Sequence, residues 1–201
     1  MKIDGVSLKG ILSVPSPARG LVIFAHGSGS GRMSPRNSFV ANELNGKGFA
    51  TLLMDLLTEE EADRANVFNI DLLSRRLVRS TEWSRSEPLV ADLPIGYFGA
   101  STGAAAALEA AAKNQGVVKA VVSRGGRPDL AMKALPAVLS PTLLIVGGAD
   151  FTVLEMNELA LKEIRSAKYL AVIPGATHLF EESGALEKVA ALASDWFSRY
   201  L

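Results

Sequence analysis

The chain has 201 residues, of which 48% are hydrophobic and 21% charged, the balance of a soluble globular protein. Its 21 basic and 21 acidic residues cancel, so neither nucleic acid nor a membrane surface is expected as a partner. The absence of cysteine excludes disulfides, thiolate metal ligands and a cysteine nucleophile, and histidine chemistry has only two candidates, His26 and His178.

The first residues lack the continuous apolar core of a signal peptide, and no window approaches the run of about 18 apolar residues that spans a bilayer. We therefore expect a cytoplasmic protein that forms one domain over residues 1–201, as a monomer or a homodimer. Two histidines and no thiol do not make a usual zinc site, so neither a metal nor another cofactor is expected.

The N-terminal half begins with two short segments, KID and VSLKGILSVP, which are predicted to be antiparallel strands that turn at Gly5. The apolar run over 20–26 is typical of a buried central strand. A helix follows, for which Ser34 is the predicted cap and Pro35 the first residue. A strand over 49–55 and a polar surface excursion then lead to an amphipathic helix, LLSRRLVRSTEWSR.

The C-terminal half alternates strands and helices. The strand LPIGYFGA leads into an alanine-rich helix that closes at Gly116, and Ser183 is the predicted cap of the last helix. The remaining predicted elements are the strands VVKAVVSRGG, PTLLIVGGAD and KYLAVIPGATH and the helices FTVLEMNELALKEIRSA and SGALEKVAALASDWFSRYL.

This alternation predicts an α/β fold: a three-layer, doubly wound, mainly parallel sheet with helices on both faces. In such sheets ligands bind beyond the carboxyl ends of the strands. The candidate functional residues are therefore those that directly follow each strand.

Gly99-Ala100-Ser101-Thr102-Gly103 fits the G-x-S-x-G pattern and lies between a predicted strand and a predicted helix. A nucleophilic serine needs this context, because a strained turn exposes its oxygen and neighbours without side chains let strand and helix approach closely. The pattern has only three fixed positions and also occurs by chance. Its interpretation therefore depends on a base and an acid elsewhere in the chain.

Asp150 and His178 each follow a predicted strand, which gives the chain order Ser101, Asp150, His178 expected of a serine–histidine–aspartate triad on an α/β-hydrolase sheet. Asp150 is also placed to cap the next helix, and both roles are compatible. Asp55 ends a strand too, but that strand precedes the serine, which makes Asp55 the lesser candidate for the acid. Glu181 and Glu182 follow His178 too closely and are predicted to cap the last helix.

The glycine-rich loop AHGSGSGR follows the strand that ends at His26. Its small residues favour an oxyanion hole formed by the backbone N–H groups of Ser28 and Thr102. A phosphate-binding loop is the alternative, but G-x-x-x-x-G-K-[ST] is absent and no acidic residue is suitably placed for a ribose. His26 is predicted to hold this loop by hydrogen bonds.

Four arginines lie in loops that follow strands, and two or more of them could bind a carboxylated substrate, although solvated surface arginines are the commoner case. The four are Arg32, Arg36, Arg124 and Arg127. The residues predicted to contact substrate are Arg32, Met33, Arg127 and Phe151.

Several stretches together resemble the dienelactone hydrolase-related branch of the α/β-hydrolases over essentially the whole chain. They are AHGSGSGR, DLLTEEE, GYFGASTGAAAAL, SRGGRPDLA, LLIVGGAD and GATHLFEE. The resemblance is strongest to small hydrolases that are found fused to phosphoribosyltransferase domains, and it implies an eight-stranded sheet with Ser101, Asp150 and His178 as the triad. True dienelactone hydrolases have a cysteine where this chain has Ser101, so neither their particular lactone substrate nor the activity of the fused domain is carried over to this chain.

Together these features predict a serine hydrolase that cleaves small, soluble carboxylic esters or lactones through an acyl-enzyme. The segment between Ser123 and Thr142 is too short for an elaborate lid, which favours small substrates. The alternatives are a non-catalytic binding protein of the same fold, which would not react with an active-site phosphonate, and a thioesterase or acyltransferase.

Overall fold

The computed structural model describes residues 1–201. Two of its strands form a small N-terminal hairpin and seven form the main sheet. The strands are β1 (Lys2–Ile3), β2 (Val6–Ser7), β3 (Gly10–Ser13), β4 (Gly20–Ala25), β5 (Phe49–Met54), β6 (Ile95–Ala100), β7 (Val118–Arg124), β8 (Thr142–Gly147) and β9 (Lys168–Ile173).

The main sheet has the order β3-β5-β4-β6-β7-β8-β9, in which β3 pairs antiparallel to β5 and the other pairs are parallel. Every residue of β4, β5, β6 and β8 is buried, as expected for strands that are covered on both faces. The carboxyl ends of these strands therefore lie side by side along one edge of the sheet.

Five α-helices cover the sheet, and two separate apolar clusters mark its two faces. Helices α1 and α5 pack on one face, and α2, α3 and α4 pack on the other. The helices are α1 (Pro35–Gly46), α2 (Ile70–Ser86), α3 (Thr102–Lys113), α4 (Phe151–Glu163) and α5 (Ala185–Tyr200). None of them is long and apolar enough to cross a membrane.

The predicted α/β fold with a mainly parallel sheet is confirmed, but the main sheet has seven strands where eight were expected. The difference lies at the N-terminus. Asp4 and Gly5 both have positive φ, and the tight turn they form closes β1 and β2 into a hairpin of their own. Of the three N-terminal strands, only β3 joins the main sheet, where it forms one edge.

The helix caps follow the sequence only in part. Ser34 caps α1 as predicted, since its side chain accepts a hydrogen bond from the Asn37 N–H. The prediction that Ser183 caps α5 is wrong, because the helix begins at Ala185 and the capping position is Gly184. The φ of Gly184 is 75°, a conformation that glycine adopts and serine does not favour. Glu182 does not cap α5 either, because its carboxylate binds Thr177.

Candidate active site

Ser101 lies in the sharp turn between β6 and α3. Its backbone has φ 51° and ψ −122°, a region that residues with a side chain rarely adopt. Such a conformation costs on the order of 1–3 kcal/mol and persists only where the surrounding structure enforces it. The turn is therefore a strained one of the kind that the G-x-S-x-G pattern predicts.

Close backbone packing enforces this turn. A Cβ atom on Gly103 would lie 2.2 Å from the carbonyl oxygen of Ala25 and 2.4 Å from that of His26, so only glycine lets the start of α3 rest on the end of β4. A Cβ atom on Gly99 would lie 2.4 Å from the Cα of Ala104. The two glycines of the motif thus have a steric role.

The neighbouring strand β7 also holds the turn. The Ser101 N–H donates to the carbonyl of Arg124 (3.2 Å), and the Ser101 carbonyl accepts from the Arg127 N–H (3.1 Å). Both backbone groups of the serine are thereby fixed at the carboxyl end of β6.

Asp150 and His178 form a hydrogen-bonded pair at the same edge. Asp150 directly precedes α4, beyond the end of β8, and its Oδ2 lies 2.7 Å from His178 Nδ1. Its carboxylate does not cap α4, so of the two roles considered for Asp150 only the contact with histidine is present. Asp55, the lesser candidate for the acid, binds Arg32 instead.

Backbone contacts between the loops after β8 and β9 place this pair. The Ala149 N–H donates to the Ala176 carbonyl (2.9 Å). A Cβ atom on Gly147 would lie 2.3 Å from the same oxygen, so glycine is required there. Thr177 donates to Glu182 through both its N–H and its hydroxyl, and these bonds lower the pKa of Glu182.

His178 reaches towards the serine turn. An ideal Cβ position on Gly125, the residue after β7, lies 3.5 Å from His178 Cε1. Because the Ser101 N–H binds the residue before Gly125, the imidazole and the serine are near neighbours. Asp150 is the hydrogen-bond partner of His178, through Nδ1, and Nε2 has none in this structure.

His26 holds the glycine-rich loop, as predicted. Its Nε2 accepts a hydrogen bond from the Leu56 N–H (3.0 Å), so Nδ1 carries the proton of the neutral ring and donates to the Gly27 carbonyl (2.9 Å). Burial lowers the pKa of His26, which favours this neutral form.

The two residues predicted to supply the oxyanion donors, Ser28 and Thr102, are joined by a hydrogen bond. The Thr102 N–H is the first of α3 and has no backbone acceptor, which leaves it available to a ligand. The Ser28 N–H, by contrast, donates to Thr102 Oγ1 (2.9 Å). The structure differs here from the expectation of two free amides, and the difference arises from a side chain whose direction the sequence does not reveal.

A cavity of about 900 Å³ lies beside this hydrogen bond. One wall is the loop from His26 to Arg32 with Thr102, and the other is the polar excursion that follows β5. That excursion brings Glu59, Glu60 and Glu61 to the cavity, a contribution that its polar sequence did not indicate. Ser101 does not line the cavity, although Gly27 and Thr102, which do, pack directly beside it.

The residues predicted to contact substrate are only partly in place. Arg32 lines the cavity but is paired with Asp55, and Arg127 is paired with Asp129 through two hydrogen bonds of 2.7 and 2.8 Å. Met33 and Phe151 are 67% and 76% exposed, and neither lines the cavity.

One family model and two curated proteins match nearly the whole of this chain. A model described as "Dienelactone hydrolase family" matches residues 8–201. Two Mycobacterium tuberculosis proteins, provisionally named phosphoribosyl transferases, are each 60% identical over 197 residues. These matches cover 98% of this chain but 44% of the relatives, so the chain spans less than half of their length.

Solved structures agree with the family match. A crystal structure of a dienelactone hydrolase from Anabaena variabilis is 56% identical, with a TM-score of 0.96, and the match covers 99% of this chain and 94% of that one. Est1E from Butyrivibrio proteoclasticus shares the fold with a TM-score of 0.83 at 18% identity, over 98% of this chain and 95% of its own.

Proposed function

Since the chain belongs to the dienelactone hydrolase family, we propose that it is a serine esterase that cleaves small carboxylic esters or lactones through an acyl-enzyme. The observation that carries this proposal is the strained Ser101 turn on the same sheet edge as the hydrogen-bonded Asp150–His178 pair. A serine hydroxyl is a weak nucleophile by itself and needs such a base, which in turn needs an acid to orient it.

In the proposed reaction Ser101 Oγ attacks the ester carbonyl carbon while His178 Nε2 accepts the hydroxyl proton. Asp150 accepts the hydrogen bond from Nδ1–H, so the lone pair lies on Nε2 as the base requires. The protonated imidazole then donates to the leaving alcohol, and water releases the acyl group by the same steps. The Ser101–His178 hydrogen bond forms as substrate binds, a tightening that is common between free enzymes and their complexes.

The oxyanion is stabilised by the N–H groups of Thr102 and Ser28. The Thr102 N–H lies at the start of α3, where the helix dipole favours negative charge. The Ser28 N–H becomes available when the Thr102 side chain rotates away from it, because Thr102 Oγ1 now takes the acceptor position that the oxyanion would fill. This hydroxyl therefore competes with the transition state for one donor.

The proposed substrates are small. The segment between β7 and β8 forms only two short 3-10 helices, Pro128–Ala131 and Leu135–Ala137, which is too little chain for a large lid. The cavity of about 900 Å³ has the size of a small-molecule site, and polar and charged side chains supply much of its lining.

The direct test is hydrolysis of p-nitrophenyl acetate and butyrate by the wild type and by Ser101→Ala. We expect turnover by the wild type and a loss of about a thousandfold or more in the variant. A fluorophosphonate label on the wild type but not on Ser101→Ala identifies the nucleophile independently of substrate choice. Labelling of both proteins, or of neither, would contradict the proposed role of Ser101.

A further inference from the structure

Asn157, in the middle of α4, is a completely buried polar side chain that the proposed reaction does not use. It is 0% exposed. Its Nδ2 group donates two hydrogen bonds, one to the Val153 carbonyl within the helix (2.8 Å) and one to the Gly126 carbonyl beyond β7 (3.0 Å). Its Oδ1 atom is buried without a partner. An amide with an unpartnered oxygen costs free energy in a core, so Asn157 needs an explanation beyond packing.

The bond to Gly126 reaches the segment that holds the proposed nucleophile. This segment, residues 124–127, is called the β7 exit below. At its first residue the Arg124 carbonyl accepts a hydrogen bond from the Ser101 N–H (3.2 Å), and at its last residue the Arg127 N–H donates to the Ser101 carbonyl (3.1 Å). The position of the serine turn therefore follows the position of the β7 exit.

The β7 exit also touches the proposed base. An ideal Cβ position on Gly125 lies 3.2 Å from the His178 carbonyl oxygen and 3.5 Å from His178 Cε1. The Gly125 N–H donates to the Ile145 carbonyl of β8 (2.8 Å). Because the β7 exit lies against both the serine turn and the imidazole, a shift of this segment changes the geometry in which Ser101 transfers its proton to His178.

Helix α4 adds the proposed acid to the same arrangement. Asp150 directly precedes this helix, and its carbonyl accepts the Leu154 N–H in the first turn (2.9 Å). Asn157 lies about two turns further along. Its amide is the side chain from another element that hydrogen-bonds to the backbone of the β7 exit. The helix that carries the acid is thereby tied to the segment that holds the nucleophile and touches the base.

Gly126 is held from the side of the sheet as well. A Cβ atom on Gly126 would lie 2.0 Å from Ser123 Oγ and 2.7 Å from Ala104 Cβ, so this glycine rests directly on β7 and α3. Asn157 holds the same residue from α4. The β7 exit is thus fixed between two layers of structure at the one residue to which the amide donates.

We propose that Asn157 is a positioning residue, which sets the relative positions of Ser101, Asp150 and His178 by tying α4 to the β7 exit. It acts through Gly126 and does not touch substrate. The inference rests on the proposed esterase function. Loss of the bond to Gly126 lets the β7 exit move relative to α4, and a displacement of about 1 Å among reacting groups costs about a hundredfold in rate.

The first test compares two substitutions of Asn157. Asn157→Thr has almost the same volume, and its hydroxyl donates to the Val153 carbonyl four residues earlier, so that it removes only the bond to Gly126. Asn157→Leu removes both bonds. We expect each variant to lower kcat for p-nitrophenyl butyrate about ten- to a hundredfold with KM changed by less than about twofold, and to slow fluorophosphonate labelling similarly. Wild-type kcat in Asn157→Thr overturns the proposal.

Asn45→Leu is the matched control. The Asn45 side chain makes the same kind of bond, from Nδ2 to the Phe49 carbonyl (2.9 Å), but it joins α1 to the start of β5 at the amino edge of the sheet, away from the site. We expect this variant to unfold at a lower temperature and to keep the kcat and KM of the wild type below its unfolding transition. An equal fall in kcat in Asn45→Leu would show that the rate loss follows destabilisation in general, which overturns the positioning role.

The second test needs no catalysis, because the chain has only two histidines. Proton–carbon correlation spectra of histidine-labelled protein report the Cε1–H signals of His26 and His178, and His26→Asn assigns them. Since Gly125 lies beside His178 Cε1, we expect Asn157→Thr to shift the His178 signal but not the His26 signal, and Asn45→Leu to shift neither. An unmoved His178 signal overturns the inference. A moved signal in a protein whose wild type neither hydrolyses esters nor reacts with fluorophosphonate supports the tie and contradicts only the esterase function.

Discussion

The close contact of α3 with β4 predicts that Gly103→Ala is among the most damaging single substitutions in the chain. The added Cβ would lie 2.2 Å from one carbonyl oxygen and 2.4 Å from another. A normal carbon–oxygen contact is about 3.3 Å, so the start of the helix must move by about 1 Å. Both obstacles are backbone atoms of buried β4 and its continuation, and they cannot rotate away.

The expected cost follows from that shift. Overpacking a well-packed core costs about 1–3 kcal/mol, and backbone obstacles place this substitution at about 3 kcal/mol or more. For a chain of this length such a loss lowers the unfolding temperature by about 6–12 °C. A displacement of about 1 Å at a catalytic turn costs about a hundredfold in rate, so the folded variant should be a poor esterase as well.

Gly46→Ala is the matched control. Gly46 is the last residue of α1, and a Cβ there meets nothing within 4 Å. The same chemical change should stabilise the protein by about 0.4–1 kcal/mol by restricting the unfolded chain, with full activity retained. Thermal unfolding by circular dichroism and hydrolysis of p-nitrophenyl butyrate measure both effects. A Gly103→Ala protein that unfolds within about 2 °C of the wild type and keeps its rate refutes the close approach described above.

Substitutions at three further positions test the site. Asp150→Asn should lower kcat by a factor on the order of a thousand or more with little change in KM, because the amide favours the wrong imidazole tautomer; an unchanged kcat contradicts the acid role. Thr102→Val removes the hydroxyl that accepts the Ser28 N–H and should raise kcat/KM about two- to tenfold, which corresponds to one neutral hydrogen bond. Thr102→Ser keeps the hydroxyl and should leave kcat/KM unchanged. A lower kcat/KM in Thr102→Val argues against competition between this hydroxyl and the oxyanion. Burial lowers the pKa of His26 from 6.5, so as the pH falls the unfolded chain binds a proton at this residue before the folded protein does. The contribution of the neutral His26 to the free energy of unfolding is therefore complete above about pH 6.5. It decreases as the pH falls towards the lowered pKa, by up to about 1.4 kcal/mol per pH unit. Thermal unfolding from pH 8 to 5 should show a smaller pH dependence in His26→Asn, and equal dependence in both proteins contradicts this assignment.

The sequence predicts well those features that depend on one strand and the residue after it. Ser101, Asp150 and His178 each follow an apolar run, and a parallel sheet brings all such positions to one edge. A helix cap can also be predicted from the sequence where one side chain forms it, as Ser34 does at the start of α1. The start of a helix is harder to predict where a glycine lies nearby: α5 begins at Ala185, directly after Gly184, and not at the cap predicted from Ser183.

Features that depend on which strand ends become neighbours are not predictable in this way. The bond from Ser28 to Thr102 joins residues 74 positions apart, and Arg32 meets Asp55 only because β4 and β5 are adjacent. From the sequence, Arg32, Arg36, Arg124 and Arg127 are all candidates for an anion site, and Arg32 and Arg127 are the two predicted to contact substrate. The structure separates them by the carboxylates that each one meets.

That separation bears on how a substrate site is recognised in this fold. The two arginines chosen from the sequence already have carboxylate partners, and binding an anion there would require breaking an existing ion pair. Arg124 differs from both, because its Nε and Nη1 atoms are buried and have no hydrogen-bond partner. Sequence position therefore identifies the charged residues near the sheet edge, but only the packed structure shows which of their charges are already paired with a carboxylate.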